Sequence, residues 1–145
     1  MGMVDVTEKP VVRRQAEAGG RIVLSNDTVK EIKAGRIKKG DPLLVAEVAG
    51  MNAAKQTYLL IPHCHQIPLD MVSIEFKISE DQIEAKCFVR AQARTGVEME
   101  ALVGVTTALN TVWDMVKYIE KDDRGQYPGT KITDIMVTMK EKGTP

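Results

Sequence analysis

The sequence predicts an α+β fold in which two helices cover one face of a four-stranded antiparallel sheet. Three patterns support this fold: a long segment with an apolar helical stripe, an adjacent pair of segments whose apolar residues alternate, and strand-like segments towards both ends of the chain. At 145 residues, of which 43% are apolar, the chain can bury one core without disulfides or metal. We expect a flexible arm at 1–10, a single domain at 11–141 and a frayed tail at 142–145.

The first strand is predicted at residues 21–25, RIVLS, just after a pair of glycines. Asn26 or Asp27 is then expected to cap a brief helix, because the side-chain oxygens of these residues accept hydrogen bonds from the free N–H groups of a first turn. This helix is predicted to end at Gly35, since glycine adopts the backbone conformation that terminates many helices.

A second, longer helix is predicted after the loop RIKKGD. Asp41 is a suitable N-cap, and Pro42 fits the first helical position, where a missing N–H leaves no bond unmade. We expect this helix to run to about Leu60, with Gly50 as a weak point inside it. Pro62 is expected to stop it.

A hairpin and a final strand complete the predicted sheet. Residues 71–79 and 83–91 alternate apolar and polar side chains and are joined by a short turn. Residues 131–140 alternate in a similar way. Three apolar residues are expected on one face of this last strand: Ile135, Val137 and Met139. Leaving out the small helix, the order is strand, helix, strand, strand, helix, strand, which is the split βαβ or ferredoxin-like arrangement.

The longest predicted helix runs from Arg94 to Lys121. The apolar residues that recur at helical spacing are Leu102, Val105, Leu109, Val112, Val116 and Ile119. Thr95 and Glu98 match a capping box, so the helix is expected to start there. A second face carries Met99, Thr106, Asn110, Asp114 and Lys117. Because this second face mixes titratable and apolar groups, we expect it to be functional.

The composition excludes several classes of function. The 20 basic and 20 acidic residues cancel, so no global field attracts nucleic acid or an anionic membrane. No apolar stretch reaches the ~20 residues of a membrane span, and the start of the chain lacks a signal region. Cys64 and Cys87 are isolated thiols, which fits a reducing compartment. We therefore expect a cytoplasmic protein that binds neither nucleic acid nor membrane.

The sequence KKGD at 38–41 lies where a loop meets a helix N-terminus. Free N–H groups, the positive end of the helix dipole and Lys39 together suit a phosphate group there. The alternative is that Asp41 only caps the helix and the lysines are solvated. The chain contains no Walker loop and no GxGxxG motif.

Both histidines of the chain lie in the motif His63-Cys64-His65. Two histidines at this spacing face the same way in an extended loop, which suggests a zinc site. Zinc needs companion ligands, however, and the chain has no second Cys/His cluster, so we expect no metal. The alternative for Cys64 is a small buried hydrophobic residue.

Asp114 and Lys117 are three residues apart on the long predicted helix. The simplest interpretation is an ordinary ion pair on a helix surface. Alternatively, partial desolvation beside the buried stripe would shift their pKa values towards those useful for acid and base chemistry. Glu98 is explained by the predicted capping box, whereas Glu100 has no structural explanation.

Five short motifs together resemble one known family. These motifs are KKGD at 38–41, AAK at 53–55, the Cys-His pair at 64–65, GVEMEAL at 96–102 and WDMVK at 113–117. From about Val4 to the last strand, the chain resembles the molybdenum cofactor biosynthesis protein C family, the cyclic pyranopterin monophosphate synthases.

The resemblance implies an enzyme, a lyase of the phosphorus–oxygen type. Its substrate would be cyclised dihydro-GTP (3',8-cyclo-7,8-dihydroguanosine triphosphate), rearranged to cyclic pyranopterin monophosphate with release of pyrophosphate and without a redox cofactor. The implied acid/base residues are Lys39, Asp114 and Lys117. The implied substrate contacts are His63, Cys64, His65, Met99 and Glu100. Lys55 and either Arg13 or Arg14 are further cations available to the triphosphate.

Glu100 and Asp114 are fourteen positions apart, which in a helix separates them by roughly 21 Å. One small site can hardly contain both residues of a single chain, so we expect a site shared between subunits. The resemblance also implies homo-oligomers, usually hexamers built as trimers of dimers. The rival hypothesis is a non-catalytic module that binds a metabolite between subunits.

Overall fold

The computed structural model describes all 145 residues and contains four strands and four helices. The strands are β1 (Val12–Val23), β2 (Met71–Ile78), β3 (Gln82–Ala93) and β4 (Lys131–Lys142). The helices are α1 (Asn26–Lys33), α2 (Pro42–Lys55), α3 (Thr57–Leu60) and α4 (Glu98–Glu120). None of the four helices combines the length and the apolar composition that a membrane span requires.

The four strands form one antiparallel sheet in the order β2-β3-β1-β4. Helices α2 and α4 pack on one face of it, and the core lies between these two layers. The α+β, ferredoxin-like prediction is therefore confirmed. The hairpin is also confirmed, since Ile78 pairs with Ile83 and the N–H of Ser79 donates to the carbonyl of Gln82 at 2.9 Å.

Strand β1 begins nine residues before the predicted start at 21, because Val12 already pairs with Ala93. The prediction was wrong because the glycine pair at 19 and 20 was interpreted as a break. Gly20 instead lies within the strand, and a Cβ there would meet the side chains of Ile135 and Leu109. The missing side chain thus lets β4 and α4 approach the centre of the sheet.

Two predicted helix ends are also wrong. Ser25, and not Asn26 or Asp27, caps α1, since its hydroxyl accepts the N–H of Thr28 at 3.2 Å. The second helix ends at Lys55 instead of continuing to Leu60, and a separate turn, α3, follows. The Asp41 cap is confirmed, because its carboxylate accepts the N–H groups of Leu43 and Leu44 at 3.0 and 3.3 Å.

Helix α4 begins at Glu98, four residues after the predicted start, and the capping box does not form. Val97 occupies the N-cap position without a side-chain cap, and Glu98 forms an ion pair with Lys140 of β4 at 3.1 Å. The predicted stripe is confirmed at its centre, where four residues are fully buried: Val105, Leu109, Val112 and Val116. The outer members, Leu102 and Ile119, are half-buried against the core.

The predicted face of the last strand is changed by irregular pairing with β1. Register shifts between Glu17 and Ala18 put Val137 opposite Ala18 but Met139 opposite Glu17. Ala18 faces the helices and Glu17 the uncovered side, so Val137 and Met139 lie on opposite faces. The sequence alternation alone did not reveal these bulges.

Helices α2 and α4 cross at Gly50 and Gly104. A Cβ on Gly50 would lie 2.7 Å from the carbonyl oxygen of Gly104, and a Cβ on Gly104 would lie 2.6 Å from the sulfur of Cys87. Gly50 was predicted to be a weak point of the helix, but at this position the backbones of α2 and α4 lie too close together for a side chain. Its cost to helix propensity is offset by this packing.

We predict that Gly50→Ala lowers the free energy of unfolding by about 1–3 kcal/mol, because the added methyl group overlaps the backbone of α4. Denaturant unfolding at matched protein concentration measures this change. Gly129→Ala is the control, since no atom lies within 4 Å of a Cβ there. An unchanged or higher stability of Gly50→Ala would show that the helices can separate without loss.

Candidate active site

A carboxylate bracketed by two lysines lies in the second half of α4. Asp114 Oδ2 is 3.1 Å from Lys39 Nζ, and Asp114 Oδ1 is 3.1 Å from Lys117 Nζ. Lys39 Nζ also donates to the backbone carbonyl of Asp114 at 3.2 Å. The structure therefore brings together all three residues that the resemblance implied for acid/base chemistry. The ordinary ion pair of Asp114 and Lys117 is present, but it is half of a larger cluster.

Hydrogen bonds, and not burial, set the protonation of Asp114. The hydrogen bond from Lys39 is the main cause that lowers the pKa of this carboxyl, followed by the hydrogen bond from Lys117. The desolvation predicted from the sequence is wrong for this side chain, which is exposed. Asp114 is consequently a carboxylate at neutral pH, held between two ammonium groups.

Lys39 reaches Asp114 from the loop at 34–41, which connects α1 to α2. Ile37 is buried in the core and anchors this loop. Gly40 has a φ of 114°, a left-handed conformation in which a side chain would be strained. Asp41 occupies two N–H groups of the following helix, so the capping alternative is confirmed for this residue. Lys39 is not simply solvated, because its amine is held by Asp114.

Tyr118 also contacts this loop, although it was not among the residues predicted from the sequence. Its hydroxyl oxygen accepts the backbone N–H of Lys38 at 2.9 Å, and its ring lies 5.0 Å from Lys38 Nζ. The available signal was its position four residues after Asp114, which places both side chains on one face of a helix.

A second cluster of predicted site residues lies near the start of α4. Cys64 Sγ is 3.5 Å from Glu100 Oε2, which is a hydrogen bond from thiol to carboxylate. Glu100 is only 3% exposed, and its other oxygen, Oε1, has no partner. Burial raises the pKa of Glu100, and burial followed by the charge of Glu100 raises the pKa of Cys64 to about 11.

The other predicted contacts surround this second cluster with differing exposure. His65 is half-buried, and its Nε2 is 2.7 Å from the carbonyl oxygen of Val4 in the arm. His63 and Lys55 are exposed, and Met99 is 38% exposed. No group of three or more His, Cys, Asp or Glu side chains is arranged to hold a metal ion.

Arg14 provides a buried positive charge. It is 4% exposed, and its Nη2 donates to the carbonyl of Arg94 at 3.2 Å, whereas its Nε has no partner. Arg94 in turn donates from Nε to the carbonyl of Lys9 at 3.2 Å. Arg94 and His65 line the same cleft, which has a volume of about 370 Å³. A buried guanidinium bonded only to a carbonyl is costly unless an anion binds nearby.

The two clusters lie at opposite ends of α4. Glu100 and Asp114 belong to one continuous helix and are fourteen positions apart, which corresponds to roughly 21 Å. A single chain therefore does not bring the predicted acid/base residues and the predicted substrate contacts into one small site.

Comparison with known proteins identifies relatives over nearly the whole chain. A family model described as the MoaC family matches residues 3–143. The probable cyclic pyranopterin monophosphate synthase of Thermococcus kodakarensis is 56% identical over 141 residues, which cover 97% of this chain and 90% of that protein. The protein of the same description from Aeropyrum pernix is 53% identical over 142 residues, which cover 98% and 97%. The probable cyclic pyranopterin monophosphate synthase accessory protein of Methanothermobacter thermautotrophicus is 52% identical over 140 residues, which cover 97% and 88%.

We predict that Cys64 reacts with iodoacetamide as a poorly ionised thiol. The pKa of about 11 means that its rate rises with pH to a midpoint near that value. Glu100→Gln removes a nearby negative charge and should lower the midpoint, although burial still holds it above that of a free thiol. Peptide mass spectrometry separates Cys64 from Cys87. A midpoint near the ~8.5 of an ordinary cysteine in the unsubstituted protein would contradict this description of the site.

Proposed function

The chain belongs to the MoaC family, and we propose on that premise that it is a cyclic pyranopterin monophosphate synthase of molybdenum cofactor biosynthesis. It converts cyclised dihydro-GTP to cyclic pyranopterin monophosphate and releases pyrophosphate, which makes it a phosphorus–oxygen lyase. Its substrate is a small molecule. We further propose that it acts in the cytoplasm, where free thiols such as Cys64 and Cys87 stay reduced.

The observation that carries the catalytic assignment is the contact of Asp114 with two lysines from different elements. Rearranging a ring system needs several proton transfers at neighbouring atoms. An ionised carboxylate can accept a proton, and an ammonium group can donate one or stabilise a developing oxyanion. Asp114, Lys39 and Lys117 are the proposed catalytic residues. The proposed mechanism uses protons and charges of the chain and no redox cofactor.

The cluster at the other end of α4 is proposed to bind the substrate. Arg14, His65 and Lys55 are the proposed cations for the triphosphate, because phosphate oxygens form their strongest hydrogen bonds with charged donors. The buried Arg14 supports this assignment most directly, since it carries a charge without a carboxylate partner.

Glu100 and its neighbours are proposed to recognise the guanine-derived part of the substrate. The unpartnered Oε1 of Glu100 is available to an N–H group of such a ring. Cys64 holds the other oxygen of this carboxyl and thereby fixes its orientation. The remaining proposed contacts lie beside this pair: His63 and Met99.

We propose that each active site combines the acid/base cluster of one chain with the substrate cluster of another. The roughly 21 Å between Glu100 and Asp114 supports this arrangement. The outer face of α2 supports association between chains, because three of its large apolar side chains are exposed to solvent. They are Leu44 at 58%, Val45 at 42% and Val48 at 49%. The proposed assembly is a homohexamer built as a trimer of dimers.

Asp114→Asn and Lys117→Ala are each predicted to lower turnover by roughly 10²–10⁴-fold, because each removes a group that transfers or orients a proton. Product analysis with the cyclised dihydro-GTP intermediate measures this loss. Lys121→Ala is the matched control, since this lysine lies just beyond the end of α4. A folded Asp114→Asn variant with wild-type turnover would refute the assignment, and absence of turnover in the unsubstituted protein would favour the binding-module hypothesis.

Mixed oligomers test the shared site. Glu100→Ala chains and Asp114→Asn chains are each expected to be inactive alone. If every site takes one residue from each of two chains, random assembly at equal ratio leaves about one quarter of the sites intact, with about one quarter of wild-type turnover. Refolding the two variants together, with mass spectrometry to verify mixing, provides the measurement. Mixed oligomers that are no more active than their parents would place the site within one chain.

A further inference from the structure

We propose that Tyr118 is a positioning residue that holds the Lys39 loop so that the amine of Lys39 remains on Asp114. This inference rests on the proposed function of Lys39 and Asp114 and adds a residue to it. Tyr118 itself contacts neither the amine of Lys39 nor the carboxylate of Asp114. Its effect passes through Lys38, the residue directly before Lys39.

Tyr118 contacts Lys38 in two independent ways. Its hydroxyl oxygen accepts the backbone N–H of Lys38 at 2.9 Å, which fixes the main chain immediately before Lys39. Its ring faces Lys38 Nζ at 5.0 Å, within the range of a cation–π contact. The side chain of Tyr118 thus holds both the backbone and the amine of Lys38, the residue next to Lys39.

The contact between Tyr118 and Lys38 lies beside two hydrogen bonds that Lys39 makes to Asp114. Lys39 Nζ bonds both the carboxylate and the backbone carbonyl of Asp114, at 3.1 and 3.2 Å. In a helix that carbonyl also accepts the N–H of residue 118, one turn further on. Tyr118 therefore joins the loop to the same helical turn on which the amine of Lys39 is bonded. The Lys39 loop and the Asp114 carboxylate are therefore both held by the same rigid helix, α4.

The side chain of Lys39 needs such support to stay in one position. Its side chain is 44% exposed, and an exposed lysine has several rotatable bonds and little packing to restrict them. Within the loop, the buried Ile37 lies two residues before Lys39, and Asp41, which caps α2, lies two residues after it. Between these two residues, the hydroxyl of Tyr118 is a tether from α4 to the loop backbone. A displacement of about 1 Å there is large for a group that transfers protons.

Tyr118→Phe is the decisive variant, because it removes the hydroxyl and keeps the ring. We expect kcat to fall about tenfold with KM within about twofold, since the proposed substrate contacts lie near the other end of α4 and not on this loop. Tyr127→Phe is the matched control: its ring packs against Trp113 with centroids 5.3 Å apart, and it should keep wild-type kcat. Equal kcat values for both variants would overturn the proposal.

A chemical measurement separates positioning from a general loss of stability. Limited acylation with acetic anhydride, followed by peptide mass spectrometry, reports how freely each lysine amine reacts. Tyr118→Phe should raise the rate at Lys39 roughly threefold, the magnitude expected when an exposed ion pair is lost. The rate at Lys30, an exposed residue of α1, should not change. An unchanged rate at Lys39 would overturn the proposal.

The Lys39→Ala background separates this proposal from the proposed function. If Tyr118 acts through Lys39, adding Tyr118→Phe to Lys39→Ala causes no further loss of kcat. A further loss of about tenfold would overturn the proposal. If Lys39→Ala alone keeps wild-type turnover, the catalytic role of Lys39 fails, and the acylation rate still decides whether Tyr118 positions its amine. Should Tyr118→Phe fail to fold, Tyr118→Leu, which lacks the same hydroxyl, is judged by the same acylation rate.

Discussion

The close crossing of α2 and α4 at Gly50 and Gly104 is the contact on which the rest of the structure depends. It brings the two helix backbones together over the sheet, with Cys87 of β3 directly beneath. The loop that carries Lys39 precedes α2, and the turn that leads to Cys64 follows it. Fixing α2 on α4 at one point therefore fixes both loops, one near each end of α4. A larger residue at Gly50 or Gly104 would push the helices apart and would thereby move both clusters of polar residues.

Helix α4 also fixes the distance between the Glu100 cluster and the Asp114 cluster, because a helix of this length is rigid and has a constant rise per residue. Asp114 and Glu100 cannot approach each other through loop motion, since both belong to the same element. Any site that uses both must take them from different chains or accommodate a long substrate. The exposed apolar residues of α2 favour a site shared between chains, because covering an apolar surface with a second copy removes it from water and lowers the free energy.

The long-range pattern of the fold could be predicted, whereas several local boundaries could not. The hairpin and the stripe of α4 follow from side-chain periodicity, which reports directly on burial. The start of β1 was missed because the pair Gly19 and Gly20 was interpreted as a break. Gly20 is explained only by the packing, since the side chains of Leu109 and Ile135 occupy the space that its Cβ would fill. The assignment of site residues came from the resemblance and stays a prediction. Periodicity gave no information about the contact of Lys39 with Asp114, which depends on a loop that Tyr118 holds against α4.

The two carboxyl groups of α4 show how one helix supplies opposite electrostatic environments. Asp114 is exposed and hydrogen-bonded to Lys39 and Lys117, so its pKa lies below the ordinary value and it remains charged. Glu100 is buried beside a thiol, and burial raises its pKa. Pairs of groups whose pKa values are moved apart in this way are suited to different roles in proton transfer. Asp114 keeps its charge because Lys39 and Lys117 both donate hydrogen bonds to it. Glu100 has a raised pKa because it is buried, and the opposing effect of the hydrogen bond from Cys64 is smaller. The difference between the two carboxyl groups therefore follows from how deeply each position of α4 is buried and from which charged side chains contact it.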